Sequence, residues 1–423
     1  MTPQAICSER CKRPDVDLTL ETRCCIAGGG PAGMMLGLLL ARAGVPVVVL
    51  EKHEDFLRDF RGDTVHPSTL EVIHELGVLE EFLKRPHSEV RELRGTIGNE
   101  PVTIADFSHL PVKCPFIAMV PQWDFLNFLV DQGRRYPTFQ LVMRAEVFDL
   151  IERDGRITGV RAQTPDGPID VHADLVIGAD GRSSIVRSLA RLPIEDIGAP
   201  IDVLWMRLSK RATDAGASLG NIRNGHVFVM LDRGDYWQCA YVIPKDGYEA
   251  LRRVGLEAFR AEIVGVVPFL ADRVAEITSW DNVKLLTVRI DRLKQWHRPG
   301  LLCIGDAAHA MSPVGGVGIN LAIQDAVAAA NILYGPLRQG APSAAYLEAV
   351  QRRRELPTRI TQRMQVVMQN RVIFRTLTSG APTSLPWPAR LLRDYPILRR
   401  IPARLVGMGF RPEHVRSPEA GRA

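Results

Sequence analysis

Glycines, and the acids that follow them, mark where this chain could do chemistry. Gly28-Gly29-Gly30-Pro31-Ala32-Gly33 stands between an apolar strand and an apolar helix. Gly28 permits the tight turn, Gly30 lets a pyrophosphate approach the backbone, and Gly33 lets the helix pack on its strand. Pro31 and Ala32 open the helix, whose N–H groups and positive end suit an anion. Glu51 ends the next β-branched run, 18 residues after Gly33, where a carboxylate can take a pair of ribose hydroxyls. Lys52 stands beside it. A second motif is Asp180-Gly181-Arg182-Ser183-Ser184, delivered by the apolar run Leu175–Ile177 and ending in Arg187. Taken alone it reads as a turn after a strand. The third is Gly305-Asp306-Ala307-Ala308-His309, followed by Pro313-Val314-Gly315-Gly316-Val317-Gly318-Ile319-Asn320. Its carboxylate can hold a polyol hydroxyl, and its glycine-rich turn opens a helix whose N-terminus can stabilise a developing anion. His309 offers either an acid–base group or a hydrogen-bonded structural residue.

The pattern around these motifs predicts the elements that position them. Arg23–Ala27 reads as a strand, Pro31–Ala43 as a helix stopped by Gly44, and Val45–Leu50 as a buried parallel strand. Ser68–Leu76, with Ser68 as its N-cap, and Trp123–Gly133 read as helices. Asp202–Ser209, Val227–Leu231 and Tyr236–Ile243 are strand-like, with Asp232-Arg233-Gly234-Asp235 joining the last two as a hairpin. Val283–Ile290 adds a strand. Gly300–Ile304 returns to a buried strand, and a helix follows from about Gly316 to Leu333. The remainder reads as helical, broken by Pro357, Pro382, Pro386, Pro388, Pro396 and Pro402. Ala27–Leu50 is almost wholly apolar, but its glycines, Arg42 and Pro46 exclude a membrane span.

With 423 residues, the chain is too long for one ordinary core. Hydrophobic residues at 46% and charged residues at 24% exclude a disordered or fibrous chain. A net charge of +5 gives no reason to expect nucleic acid. Its distribution is uneven: from Val350 onward there are 15 Arg, no Lys and 4 acids. The cysteines Cys7, Cys11, Cys24, Cys25, Cys114, Cys239 and Cys303 lack ligand spacing and fit a reducing, cytoplasmic compartment. No G-x-S-x-G elbow supports a hydrolase, and scattered His and Cys support no metal site.

Three motifs in this order resemble the group A FAD-dependent monooxygenases, the aromatic hydroxylases typified by p-hydroxybenzoate hydroxylase. The resemblance spans Arg23 to Leu333. It implies an α/β fold: a Rossmann-like FAD-binding domain with a parallel sheet, an inserted antiparallel substrate-binding sheet, and C-terminal helices. The expected boundaries are an extension at 1–21, FAD-binding parts at 22–92, 119–198 and 293–335, substrate-sheet parts at 93–118 and 199–292, and a helical region at 336–423. The resemblance carries Gly28, Gly30, Gly33 and Glu51 to the adenosine and pyrophosphate, Asp180 and Gly181 to FAD and NAD(P)H, and Gly305 and Asp306 to the ribitol and pyrophosphate. Arg61, before the helix start Pro67-Ser68-Thr69-Leu70, matches an FAD-contacting arginine, and Gln122 stands where relatives carry Arg or Gln. Pro31, Ala32, Lys52, Pro313, Gly316, Gly318 and Asn320 complete the expected cofactor set.

The implied cofactors are FAD and NADPH or NADH. Reduced flavin would take up O2 as a 4a-hydroperoxide and pass one oxygen to an aromatic or polycyclic phenolic substrate. No second G-x-G-x-x-G exists, which agrees with transient nicotinamide binding in this family. Trp205, Phe228, Met230, Trp237 and Tyr241 are the candidate substrate wall; sheet core is the competing reading of each. No acid–base residue is assigned. Two enzymes of the same fold compete. Flavin halogenases share Trp237 and Pro244 of the Tyr236–Pro244 stretch, but Cys239 replaces their second Trp. Reductases of isoprenoid double bonds are the other, and a non-enzymatic flavin protein is the third alternative. The tail Trp387–Phe410 mixes Arg with Leu and Ile; packing on the FAD domain is the expectation, and contact with a membrane surface the alternative. No oligomeric state follows from the sequence.

Overall fold

The computed structural model describes residues 18–57, 64–214, 220–379 and 385–421. Runs of Val, Ile, Leu and Cys without a polar face build the first sheet, whose central stretches Cys24–Ala27 and Val47–Glu51 are buried throughout. Its order is His297–Arg298, Leu301–Cys303, Gly167–Gly178, Leu18–Ala27, Val47–Glu51, Phe139–Met143. The pairings from Leu301–Cys303 to Phe139–Met143 are parallel. A hairpin of Glu146–Arg153 and Arg156–Thr164 joins antiparallel to Gly167–Gly178. The first strand begins at Leu18, earlier than the sequence suggests, because Leu18–Thr22 pair with Ile169–Ala173. Chain order reverses beside this strand, and in open α/β sheets ligands bind at such a reversal. Gly28 and Asp180 stand at its mouth.

The helix Pro31–Arg42 is buried from Ala32 to Ala41. It packs on the sheet closely because two positions lack a side chain. A Cβ on Gly33 would lie 2.0 Å from the Gly28 carbonyl oxygen, and one on Gly37 would lie 2.9 Å from Val49.

The second sheet runs Lys284–Leu286, Ile201–Ser209, Tyr236–Pro244, His226–Asp232, Gly220–Arg223, Glu92–Ile97, Glu100–Asp106. All pairings are antiparallel except Gly220–Arg223 with Glu92–Ile97. The predicted strand Val283–Ile290 is paired only over Lys284–Leu286. Alternate residues face opposite ways. Leu204, Met206, Phe228, Met230, Trp237, Cys239 and Tyr241 form a core with Phe259 and Ile263 of the helix Leu256–Val266. On the other face Ile201, Val227 and Val242 pack with Val314, Ile373 and Leu377. The α/β fold with an inserted antiparallel sheet is as the sequence predicts.

A core helix, Gly318–Gln339, and a long helix, Ala344–Met368, complete the first domain. Pro357 does not break the long helix, contrary to the sequence expectation. Side chains on its inner face anchor it on both sides of the proline. Gln351 receives the Trp296 N–H at 2.9 Å, Arg354 reaches Asp325 at 3.0 Å, and Gln362 donates to the Asp291 and Ala310 carbonyls at 2.8 and 3.0 Å. A π-turn, Gln369–Ile373, continues it. The helix expected from Ser68 starts at Pro67, with His66 as its N-cap. The helices Trp387–Asp394 and Arg400–Gly407 lie on the edge strand Glu100–Asp106, and the second of them also meets the FAD-binding part, where His66 Nδ1 stands 2.8 Å from the Val406 carbonyl.

Gly33→Ala tests the close approach of helix and strand. The added methyl meets backbone, which cannot swing away, so a loss of about 1–3 kcal/mol is expected in chemical denaturation. Gly30→Ala, where a Cβ meets nothing within 4 Å, should leave apoprotein stability far less affected.

Candidate active site

The three motifs, far apart in sequence, converge at the end of the first strand. Gly28, at φ +112°, would place a Cβ 2.4 Å from the Ala179 carbonyl oxygen, so the first motif lies directly on the second. Gly305, at φ +59°, packs on Ala32 and Ala322, which joins the third motif to the first and to the core helix. Arg182 Nη2 lies 3.6 Å from Asp306 Oδ2. Arg187, at the end of the second motif, pairs in the interior with Asp291 at 3.1 Å and donates to the Arg182 carbonyl at 2.6 Å. Glu51 is buried; its two oxygens accept the N–H groups of Gly29 at 2.9 Å and His53 at 3.1 Å. Lys52, His53, Arg144 and Glu146 line an open cleft of about 590 Å³ beside it.

These residues fit a dinucleotide. Neither Pro31–Arg42 nor the core helix has a side-chain cap or an acid in its first turn, so both N-termini are left for an external anion. Gly30, Gly181 and Gly318 have no atom within 4 Å of a Cβ position, which leaves their backbone open to close approach. Asp180 gives one oxygen to the Val186 N–H at 3.1 Å, while its other oxygen and Arg182 Nη1 are buried without a partner. Burial raises the Asp180 pKa against the hydrogen bonds from Ser184 and Val186.

The glycine-rich turn after Pro313 takes its shape from its supports. Gly315 and Gly316 have φ of +81° and +63°. Thr64 Oγ1 donates to the Gly316 carbonyl at 3.0 Å. Asn320 donates to the Thr64 carbonyl at 3.2 Å and accepts from His66 N–H at 2.9 Å and Thr69 Oγ1 at 2.7 Å. Gln365 donates to the Ser312 and Val314 carbonyls, both at 2.9 Å. Asn320 therefore spends its amide on protein groups and sets the turn. His309 is structural: its Nε2 lies 2.6 Å from Asp325, which also receives the Gly305 N–H at 3.1 Å. Gln122 is half-buried at the start of the helix Gln122–Gly133, which packs on Pro31–Arg42. Arg61 lies outside the described residues.

The expected substrate wall is corrected. Phe228, Met230, Trp237 and Tyr241 sit in the core under the helix Leu256–Val266, on the face turned away from the Pro313 turn. Trp237 Nε1 and Arg273 are both bonded to Asp214, and the Tyr241 hydroxyl lies between His226 and Glu262. Bulk drew these residues into the core, where large rings bury most surface. Trp205 alone faces the other way. It pairs with Ala240 and packs with Val203, Val229 and Leu286, half-buried, its indole N–H without a partner.

Residues 21–364 match the family model described as FAD binding domain. The chain is 35% identical over 407 residues to the 6-methylpretetramide 4-monooxygenase of Streptomyces rimosus, covering 96% of each. It belongs to the FAD-dependent aromatic monooxygenases. A probable FAD-dependent monooxygenase of Pseudomonas aeruginosa, PqsL, superposes with a TM-score of 0.72 at 22% identity, covering 85% of this chain and 99% of PqsL. The myxobacterial halogenase CndH superposes at 0.71 with 19% identity, covering 94% and 95%. Those two likenesses concern the fold alone.

When bound, FAD supplies the monooxygenase with hydride acceptance from NAD(P)H and with activation of O2. What the sequence reading missed are the supports: Thr64, His66, Gln365 and Asp325. Their partners lie far away in sequence, and only the X-Pro helix start after His66 hinted at a fixed position. Burial pushes the His66 pKa down to about 4, against the Val406 carbonyl that its Nδ1 meets at 2.8 Å.

Loss of the Asp306 carboxylate in Asp306→Ala should weaken FAD binding by about 1.5–3 kcal/mol, roughly ten- to hundredfold. Glu51→Ala should do likewise, and flavin fluorescence on titrating apoprotein measures both. Equal affinity in both variants would refute the placement. His66 gives a pH dependence. Its folded pKa lies below the unfolded value of 6.5, so its contribution to stability is whole above about pH 6.5 and is lost as pH falls towards 4. The expected loss is about 3 kcal/mol, and His66→Gln should remove most of that slope in urea melts across the interval.

Proposed function

We propose that this monooxygenase hydroxylates a fused-ring phenol, an aromatic polyketide of the 6-methylpretetramide kind, with NADPH or NADH as reductant. The full-length 35% identity carries the reading, since it covers the substrate sheet and the C-terminal helices as well as the FAD motifs. The sheet supports it. Residues on the side facing the Pro313 turn are small and apolar: Val203, Val227, Val229, Ala240 and Val242. Val229 and Trp205 are the partly exposed members of this face, and with the small side chains packed beside them they offer a flat wall to a flat ring system. Trp205 adds one aromatic plane and a donor for a phenolic or carbonyl oxygen. Arg207, exposed, lies over the Tyr236 ring at 3.8 Å.

The chain's work is to bind and orient. Gly28, Gly30 and Gly33 admit the pyrophosphate, Glu51 and Asp306 take the polyol hydroxyls, and the turn held by Thr64 and Asn320 offers its N–H groups to the flavin ring. Pro31, Ala32, Lys52, Gln122, Asp180, Gly181, Pro313, Gly316 and Gly318 stay in the proposed cofactor set. Cys24, Cys25, Cys114, Cys239 and Cys303 are buried free thiols, which supports a reducing, cytoplasmic setting.

The test is a panel of simple phenols and tricyclic and tetracyclic polyketides, incubated in air with NADH or NADPH. Polycyclic phenols should stimulate nucleotide oxidation and gain one oxygen by mass. Chlorination in chloride, or double-bond saturation without O2, would replace this reading with the halogenase or reductase alternative. Trp205→Ala should raise KM several-fold, at a cost in stability below that of a core truncation because the side chain is only half-buried. Phe228→Ala, on the other face, should cost about 3–5 kcal/mol of stability and leave the KM of the folded enzyme unchanged.

A further inference from the structure

The helices Trp387–Asp394 and Arg400–Gly407, with the turn Pro396–Arg399 between them, carry an unusual surface. Their inner side is tied down. Ala403 and Gly407 are buried, and a Cβ on Gly407 would stand 3.0–3.2 Å from Leu110, Phe107 and Pro67. Their outer side is not. Trp387 is 73% exposed, Ile397 65%, Ile401 60%, Tyr395 59% and Leu391 39%. Single exposed apolar residues are ordinary, but a group this dense within one short hairpin marks a contact surface.

Arginines surround the group. Arg390, Arg393, Arg399, Arg400 and Arg404 stand against one acid, Asp394. Arg393 is paired with Asp394 and Glu100, while Arg390 and Arg399 donate to the Leu385 and Leu392 carbonyls. Arg400 and Arg404 are exposed and have no carboxylate partner among the described residues. The partner must therefore offer apolar depth and negative charge together.

We propose that this hairpin is a peripheral docking surface for an anionic phospholipid bilayer. A second copy of the chain fits poorly, because a self-facing contact would bring the unpaired arginines of both copies together. An acidic protein fits less well than a bilayer. Protein anchors seat in closely fitting pockets, whereas these side chains stand out from the hairpin. An interface of acyl chains and phosphates takes such side chains as they stand. Trp387, Ile397 and Ile401 enter the headgroup boundary, Tyr395 sits at its polar edge, and Arg400 and Arg404 reach the phosphates. The hairpin stays folded on Glu100–Asp106, so the contact is shallow and reversible.

The test uses full-length, FAD-loaded protein and sedimentation with vesicles of phosphatidylcholine alone or mixed with phosphatidylglycerol. Binding to the mixed vesicles should exceed binding to phosphatidylcholine by about tenfold and weaken with salt. The triple variant Trp387→Ser, Ile397→Ser, Ile401→Ser and, separately, Arg400→Gln with Arg404→Gln should each lose most of that binding, with flavin content and melting unchanged. Equal binding by wild type and both variants would reduce the effect to overall basicity and overturn the proposal. So would absence of binding, or a wild-type dimer that the apolar triple variant dissociates.

Discussion

Asp325 carries a charge with no exposure to water, and the cofactor end of the molecule is arranged around it. One oxygen receives Arg354 at 3.0 Å; the other meets His309 at 2.6 Å and the Gly305 N–H at 3.1 Å. Burial works against the charge, but His309 and Arg354 outweigh it and hold the carboxyl below the ordinary carboxylate range. Glu413 takes Arg354 in turn and binds Arg353 at 2.6 Å, so the C-terminal segment enters the same network. A buried pair of this kind adds little net stability over an apolar replacement, yet removing one partner costs about 3–5 kcal/mol. Its effect is positional. It locks the end of Leu301–Cys303, the core helix and the long helix in one arrangement, and Asp306 follows Gly305 by one residue.

A second constraint acts through neutral groups. Segment 291–314 crosses the interior mostly outside the large sheets, and its carbonyl oxygens need donors there. The long helix supplies them from successive turns. Gln351 donates to the Lys294 carbonyl at 3.0 Å, Gln362 bridges Asp291 and Ala310, and Gln365 bridges Ser312 and Val314. Gln369 reaches the Ser312 hydroxyl. An amide with two donors satisfies two carbonyls without importing charge. The glycine-rich turn proposed to meet the flavin is thus fixed from behind by a helix that the glycine motifs give no reason to expect.

Much of this was legible in the sequence where chemistry demands a residue type at a spacing. The glycines, Glu51, Asp180 and Asp306 are readable as a proposed cofactor set because a turn, a phosphate and a hydroxyl each exclude most side chains. The sheet strands were readable from their alternation, but alternation does not say which face meets the substrate. Choosing by bulk picked Phe228, Met230, Trp237 and Tyr241, which the fold puts in the core under Leu256–Val266, while Val203, Val229 and Ala240 drew no attention. Pro357 misled because the side chains that hold its helix in place find their partners more than fifty residues back in most cases. His309 and Asp325 are 16 residues apart and Arg354 a further 29, so no local pattern joins them.

The two-sidedness of Ile201–Ser209 and Tyr236–Pro244 reaches beyond one enzyme. Leu204, Met206, Phe228 and Met230 pack under the helix Leu256–Val266, and their neighbours Val203, Trp205, Val227 and Val229 lie on the side proposed to meet the substrate, where Val227 also packs with Val314 and Ile373. The two sets alternate, residue by residue, along the same strands. On the proposed reading, exchange at the partly exposed positions Trp205 and Val229 refits the wall while the interleaved positions keep the protein standing. Substrate range then draws on a few positions of a ribbon whose remaining side chains hold the fold from both faces.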